Sequence, residues 1–277
     1  MNQESQDAIN LIAHQRELEV LFNKNQLITR VKGEFLKKDQ FDFASYMEAQ
    51  KIPVGFGMDL LVQMSLHKRC QLATLVGLLN KHFDNVQQTV DMITRCAEAD
   101  LVNWAPGLKL FITVVTISQD VQDELDRYQY PLPMVITPRT VKNNRETGML
   151  TSGGSLILKN NHHEDDICLD HINRSNRIKF AINFEVVKMV KNQWRGLDKM
   201  KAGETRDDFQ RRKRAFEKYD RTAKDVMGII TEHGNEFNLL HKYCKRGRSY
   251  CQGYHVNYQG ADWNKASVEF AAKELIQ

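Results

Sequence analysis

No apolar run in this sequence approaches the ~20 residues that a membrane-spanning helix needs. The longest, LKLFITVVTI at 108–117, is interrupted by Lys109. The opening MNQESQDAIN has neither a basic stretch nor an apolar one, so it does not read as a signal peptide. Cysteine is sparse: Cys70, Cys96, Cys168, Cys244 and Cys251 are odd in number, scattered, and form no Cys-x-x-Cys pair. That spacing excludes a disulfide framework and a zinc ribbon and points to reduced thiols in a cytoplasm. No membrane partner is expected. Proline is also scarce, and three of the five prolines fall between 131 and 138.

Charge is present but unevenly placed. The formal net charge is +4 over 277 residues, yet residues 172–250 hold 20 Lys and Arg against 10 Asp and Glu. That segment therefore carries +10 and the remainder −6. A basic block within a mildly acidic chain of this size implies a polyanion-binding face and says little about fold.

Helical spacing dominates the first part of the chain. Ser5 reads as an N-cap for SQDAINLIAHQRELEVLF. Leu72, Leu75, Val76, Leu79 and Phe83 share one helix face, as do Val86, Val90, Ile93 and Ala97, and again Leu108, Phe111, Ile112 and Val115. Such stripes are ordinary bundle core, and residues 1–128 are expected to form an N-terminal helical domain. Residues 129–171 change texture: the prolines, then Gly153-Gly154 between two short β-type runs, read as a connector crossing a surface. The tract His162-His163-Glu164-Asp165-Asp166 invites a metal or nuclease reading, but adjacent residues diverge and no further ligand is spaced to join them. It is expected to be a solvated loop.

Residues 172–240 carry the most information. Ile178, Ile182, Val186, Met189 and Val190 predict a helix studded with Lys179, Lys188, Lys191 and Arg195. After a break, Thr205 followed by Asp207 and Asp208 predicts a second helix start. Phe209, Phe216, Tyr219, Ala223, Val226, Ile230, His233, Phe237 and Leu240 then follow a heptad seam. Some 36 helical residues would extend about 54 Å. Two such helices joined by a break predict a projecting antiparallel hairpin. Its block QRRKRAFEKYDRTAK is, taken alone, most simply a solvated helix face.

The hairpin would lead into HKYCKRGRSYCQGYHVNYQGADW at 241–263, in which Arg246-Gly247-Arg248 lies among four tyrosines and a tryptophan. Glycine permits close backbone approach, arginine forks match phosphate oxygens, and tyrosine stacks on bases. Cation–phosphate contacts release counterions and give affinity independent of sequence.

The ordered series of features resembles the single-subunit RNA polymerases of phages and mitochondria. The connector PLPMVITPR…TSGG, a two-helix thumb over 172–240, and CKRGRSY with Gly247, Arg248 and Tyr250 stand in that family's order, followed by Gln259, Gly260 and Lys265. Cys244 replaces the family's acidic residue, and SLIL replaces the aromatic residue after Gly-Gly. The resemblance implies a mainly α fold: an N-terminal helical bundle, a short β connector, the long antiparallel thumb hairpin, and the β/α start of a palm at 241–277. It implies that Arg248, supported by Arg246, contacts backbone phosphate, that Tyr250 packs near the template base, and that Lys265 adds a phosphate contact. Arg221, Thr222 and Lys224, with Lys188 and Lys191, would face the RNA–DNA hybrid.

The family's Mg²⁺-binding aspartates and fingers lysine lie well beyond the Gly-Arg motif, whereas this chain ends 29 residues after Arg248. The expectation is therefore the small subunit of a split heterodimeric phage polymerase, in the bacterial host cytoplasm. A large palm-and-fingers partner would supply Mg²⁺ and the nucleotidyl transfer, and a promoter-recruiting helper protein could join. No catalytic residue, metal site or cofactor of its own is expected, and the chain alone should be inactive. Phe270, Leu275 and Ile276 would face the partner. The competing expectation is a free-standing nucleic-acid-binding protein built on a basic coiled hairpin.

Overall fold

Apolar helix faces bring most of the chain into helices, and about half of it is helical. The computed structural model describes residues 3–22, 24–37, 41–151, 153–159, 161–194 and 196–273. Two compact units form: residues 24–129 make one, and residues 1–23 with 130–277 make the other. The first helix, α1 (Gln3–Phe22), thus belongs with the C-terminal half rather than with the helices that follow it. Ser5 lies inside α1, not at its cap.

The 24–129 unit runs through α2 (Lys24–Leu36), α3 (Phe43–Ala49), α4 (Val54–His67), β1 (Arg69–Cys70), α5 (Leu72–Leu79) and α6 (Val86–Glu98). It closes with β2 (Val102–Ala105), β3 (Leu110–Thr113) and α7 (Gln119–Tyr128). Helix α4 is apolar over most of its circumference, so it sits at the centre, burying Phe56, Leu60, Leu61, Val62 and Met64. Gly57 lets α3 approach closely: a Cβ there would stand 2.5 Å from Met47 Sδ. The buried face of α4 continues onto α2 and α5, where Val31, Phe35, Leu75 and Leu79 are also buried. On α4's charged side, Asp59 bonds Lys32 at 3.1 Å, Lys81 at 2.7 Å and His82 at 2.9 Å. Burial acts to raise this carboxyl, but those three partners overcome it and hold it at about 2.

Two helical expectations fail here. Phe83 is extended, just past α5 and a single 3₁₀ turn. Leu108, Phe111, Ile112 and Val115 do not form a helix: the β-branched run enters β3, which pairs antiparallel with both β1 and β2. Pro106 and Gly107 turn β2 into β3, a break that the 3,4 spacing alone cannot see.

In the other unit, irregular chain from 130 to 168 leads to α8 (Leu169–Arg177), β4 (Lys179–Ile182), α9 (Phe184–Met189) and α10 (Arg206–Ile230). Then follow β5 (Phe237–Asn238), β6 (His241–Tyr243), β7 (Ser249–Cys251), α11 (Asp262–Ser267) and β8 (Val268–Phe270). One sheet has the order β5-β4-β8, and β6 and β7 form a separate hairpin. The connector does not skim a surface. Met134, Val135, Val141, Met149, Leu156 and Ile157 are all buried, and Val141 and Leu156 pack with Ile172 and Tyr243. Glu19 of α1 ties it down, accepting from the backbone N–H of Leu150 at 2.7 Å and of Thr151 at 2.6 Å.

The expected two-helix hairpin is corrected as well. Its second limb exists as α10, 25 residues long instead of 36. Its first limb is strand β4 followed by the six-residue α9. Phe180, Ala181 and Ile182 are buried in succession, as befits a central strand flanked on both sides. Asn183 then interrupts, its side chain accepting from Val186 N–H at 3.0 Å to start α9. Helix α10 stops at Ile230, and Gly234 follows at φ 139°. The apolar seam continues by burial instead: Phe237 lies in β5, and Leu240 packs near Met134 and Met149. Arg195 and the terminal Leu275 and Ile276 lie outside the described residues.

Candidate nucleic-acid interface

The β6–β7 hairpin presents the Arg-Gly-Arg sequence at its tip. Register pairs are His241 with Cys251, Lys242 with Tyr250 and Tyr243 with Ser249. Cys244 N–H donates to Arg248 O at 2.9 Å, and Gly247 N–H donates to Cys244 O at 2.9 Å. Gly247 takes φ 72°, the left-handed position closing a three-residue loop, where a side chain would be strained. Lys245, Arg246 and Arg248 consequently stand in solvent. None of the three has a carboxylate partner among the described residues. The half-buried Cys244 Sγ accepts the Arg246 N–H at 3.4 Å, and that hydrogen bond, ahead of smaller contributions from Arg248 and the Arg246 charge, holds its thiol below the usual range.

The tip is mounted on a hydrogen-bonded, buried base. Residues 156–158 flank β6 on its other side, with Leu158 N–H donating to Tyr243 O and Tyr243 N–H to Leu156 O, each at 2.8 Å. Gln259, in the Gln-Gly turn, reaches back to accept Cys251 N–H at 2.8 Å. Below, His241 is 2 % exposed. Its Nδ1 faces Asn176 Oδ1 at 3.0 Å and its Nε2 faces Tyr258 Oη at 2.7 Å. An amide oxygen only accepts, so Nδ1 carries the proton and Nε2 accepts from the tyrosine. Burial, helped by nearby His171, pushes this histidine down to about 4. Burial also lowers the amine of Lys242.

Beside the hairpin opens a cleft of about 800 Å³, lined by Lys159, Asn161, Lys245, Arg246 and Tyr250 among others, with no acidic side chain among the described residues of its wall. Lys159 and Asn161 were not foreseen: the sequence offers no sign that the connector runs alongside β6.

A second group of expected residues gathers where α9, α10 and α11 meet. Tyr219 on α10 contacts Asn264 on α11 at 3.3 Å, and Asn192 after α9 donates to Asp220 on α10 at 2.8 Å. Lys188, Lys191, Arg221, Lys224 and Lys265 are all exposed there. Three are paired locally: Lys188 with Glu185 at 3.3 Å, Lys224 with Asp220 at 2.7 Å and Lys265 with Asp262 at 3.8 Å. Such exposed pairs are weak. Arg221 and Lys191 have no carboxylate partner among the described residues. Thr222 is a correction: at 4 % exposure it faces the core and cannot meet a hybrid. Tyr130 and Tyr254 stack at 4.0 Å beside Tyr219, both partly exposed, and form an aromatic patch that sequence reading left unassembled.

The QRRKR block is largely engaged with its own surroundings. Arg212 holds Glu204 through two nitrogens and donates to Gly196 O at 2.9 Å, pinning the loop before α10. Arg211 pairs with Asp208, and Lys213 lies over the Phe209 ring. In the His162–Asp166 tract, His162 bonds Ser155 Oγ and Glu164, which also meets Arg145. The tract is a self-satisfied exposed loop, as expected. All five cysteines are free, and among the described residues no helix is long and apolar enough to cross a membrane. No protein-family model matches the chain, and no curated protein matches its sequence.

Proposed function

We propose that this chain is a non-catalytic subunit of a DNA-directed RNA polymerase. It grips template DNA and the RNA–DNA hybrid, while a second polypeptide supplies the palm, the fingers and Mg²⁺. The observation that carries the nucleic-acid reading is the β6–β7 tip. Lys245, Arg246 and Arg248 stand exposed around a left-handed glycine, beside a cleft that adds Lys159 and has no acidic side chain among its described lining residues. Cations without carboxylate partners in a cluster are spent on an anion, and a polyphosphate backbone is the anion that also uses the adjoining tyrosine. Arg248 and Arg246 contact backbone phosphate in this reading, and Tyr250, opposite Lys242, packs against a base. The α9–α10–α11 group supplies further phosphate contacts through Arg221, Lys191 and the weakly paired lysines.

For the partner, β8 is the natural place. It is an edge strand of the β5-β4-β8 sheet, and its Phe270 is 63 % exposed while stacking on Phe180 at 5.7 Å. A strand from a palm can extend that sheet.

The test is primer extension on a preformed RNA–DNA scaffold with Mg²⁺, using this chain, the candidate palm-and-fingers polypeptide, and both together. Extension only by the mixture supports the proposal; full extension by the partner alone reduces this chain to an accessory factor. Arg248→Ala should weaken scaffold binding and lower the log–log salt slope by about 1. Unchanged binding and extension by a folded variant would remove Arg248 from the site.

The second reading, a self-sufficient nucleic-acid binder, gains weight because only one limb of the expected thumb is a long helix. It requires tight binding to nucleic acid by this chain alone and no effect on the partner's extension.

A further inference from the structure

Away from the cationic face, a different chemistry assembles where α1 meets the end of α10. His14, on α1, and Glu232 and His233, just past α10, each offer one ligand atom, and the three atoms lie within 4.8 Å of one another. The two histidine rings sit edge to face with centroids 4.9 Å apart. His14 Nε2 donates to the Ile229 carbonyl at 3.2 Å. A carbonyl only accepts, so in the metal-free protein that nitrogen holds the proton and Nδ1 holds the lone pair. Anchoring a ring by a backbone carbonyl is how metal-binding histidines are oriented.

We propose that His14, Glu232 and His233 form a divalent zinc site that clasps α1 onto the C-terminal end of α10. Two imidazoles and one carboxylate are a donor set suited to zinc, with one position left for water. Zinc–ligand bonds of about 2.0–2.1 Å bring tetrahedral donors to roughly 3.4 Å from one another, so closure from 4.8 Å is small. Glu232 and His233 are exposed and can rotate to supply it. The helix end helps, because the last carbonyls of α10 present the negative pole of its dipole to a cation. Access is open: His233 also lines a cleft of about 580 Å³ with Ala8, Leu11 and Thr137.

Local sequence spacing carries no sign of this site, because its ligands come from opposite ends of the chain. Here 218 positions separate the first ligand from the second. Joining residues so distant in the chain gives the ion a structural effect, since it closes a very long loop.

The test uses the full chain stripped with a chelator and titrated with Zn²⁺, read by calorimetry and by thermal unfolding. One equivalent should bind at micromolar or tighter affinity and raise Tm, whereas Mg²⁺ should do neither. His233→Ala, at an exposed position, should weaken binding at least tenfold without altering the apo Tm. His14→Ala should do the same to binding, and Glu232→Gln should have a smaller effect. Cys244→Ser should leave binding intact. Co²⁺ should give the visible bands of a four-coordinate nitrogen and oxygen site. Absence of saturable binding, binding that survives His233→Ala, or a cobalt–thiolate band would each overturn the proposal.

Discussion

At the scale of single residues, His241 links the hairpin to pH. It is buried beneath the cationic tip between Asn176 and Tyr258 and is held neutral, its pKa lowered from 6.5 to about 4. Between those values the unfolded chain binds a proton that the folded chain does not, so stability rises with pH across that window. The contribution is fully present above about 6.5 and is lost as pH falls toward 4, amounting to at most about 3 kcal/mol. Urea unfolding at pH 5 and pH 7 should show this loss, and His241→Gln should shrink the difference between the two. An equal pH dependence in the variant would place the effect elsewhere. The same scale shows the limit of reading residues singly. Arg221 and Thr222 are neighbours, yet one faces solvent and the other the core, because successive helix positions turn by about 100°. The heptad pattern already set Ala223 and Val226 on the buried side, and Thr222 beside them was a boundary position that only packing could assign.

At the scale of elements, α10 was legible at its start. Thr205 Oγ1 accepts from Asp208 N–H at 3.1 Å and donates to Asp208 Oδ2 at 2.7 Å, as the Thr-x-x-Asp spacing implies. Thr205→Ala should loosen the first turn by about 1 kcal/mol. Every fully buried residue of α10 lies at or beyond Thr222, so this loss should remain local. Amide exchange at 206–209 should quicken while the global unfolding midpoint stays put; a lowered midpoint would mean that this end carries tertiary load. The companion limb was illegible for a specific reason. Ile178, Ile182 and Val186 fit a helix face, but the run Phe180, Ala181 and Ile182 also fits a buried strand, followed by a turn that Asn183 caps. Which pattern forms depended on β5 and β8, remote segments that hydrogen-bond to β4 from both sides.

For the whole molecule, the division into 24–129 and the remainder makes its own prediction. The 24–129 unit holds its own core around α4 and its own three-stranded sheet. An excised 24–129 fragment should therefore be helical by circular dichroism and unfold cooperatively; a fragment lacking a cooperative transition would show that its core depends on the rest. The other unit takes its first helix from residues 3–22 and the rest from beyond 130, so truncating the N-terminus should damage the unit that bears the cationic hairpin. Loss of α1 removes Glu19 from the connector backbone and Gln15 Oε1 from the Val135 N–H.

By itself the sequence determined the mainly helical character, the capped start of α10, the basic excess of 172–250 and the exposed Arg-Gly-Arg turn. Each follows from local causes: apolar spacing, a capping side chain, charge count, and a glycine free to take positive φ. Tertiary structure alone decided that the connector is buried, that β4 replaces a helix, that Lys159 joins the hairpin cleft, and that His14 meets His233. Those outcomes rest on pairings between residues far apart in the chain, where the free energy of burial and of shared backbone hydrogen bonds outweighs the weak local preference of either partner.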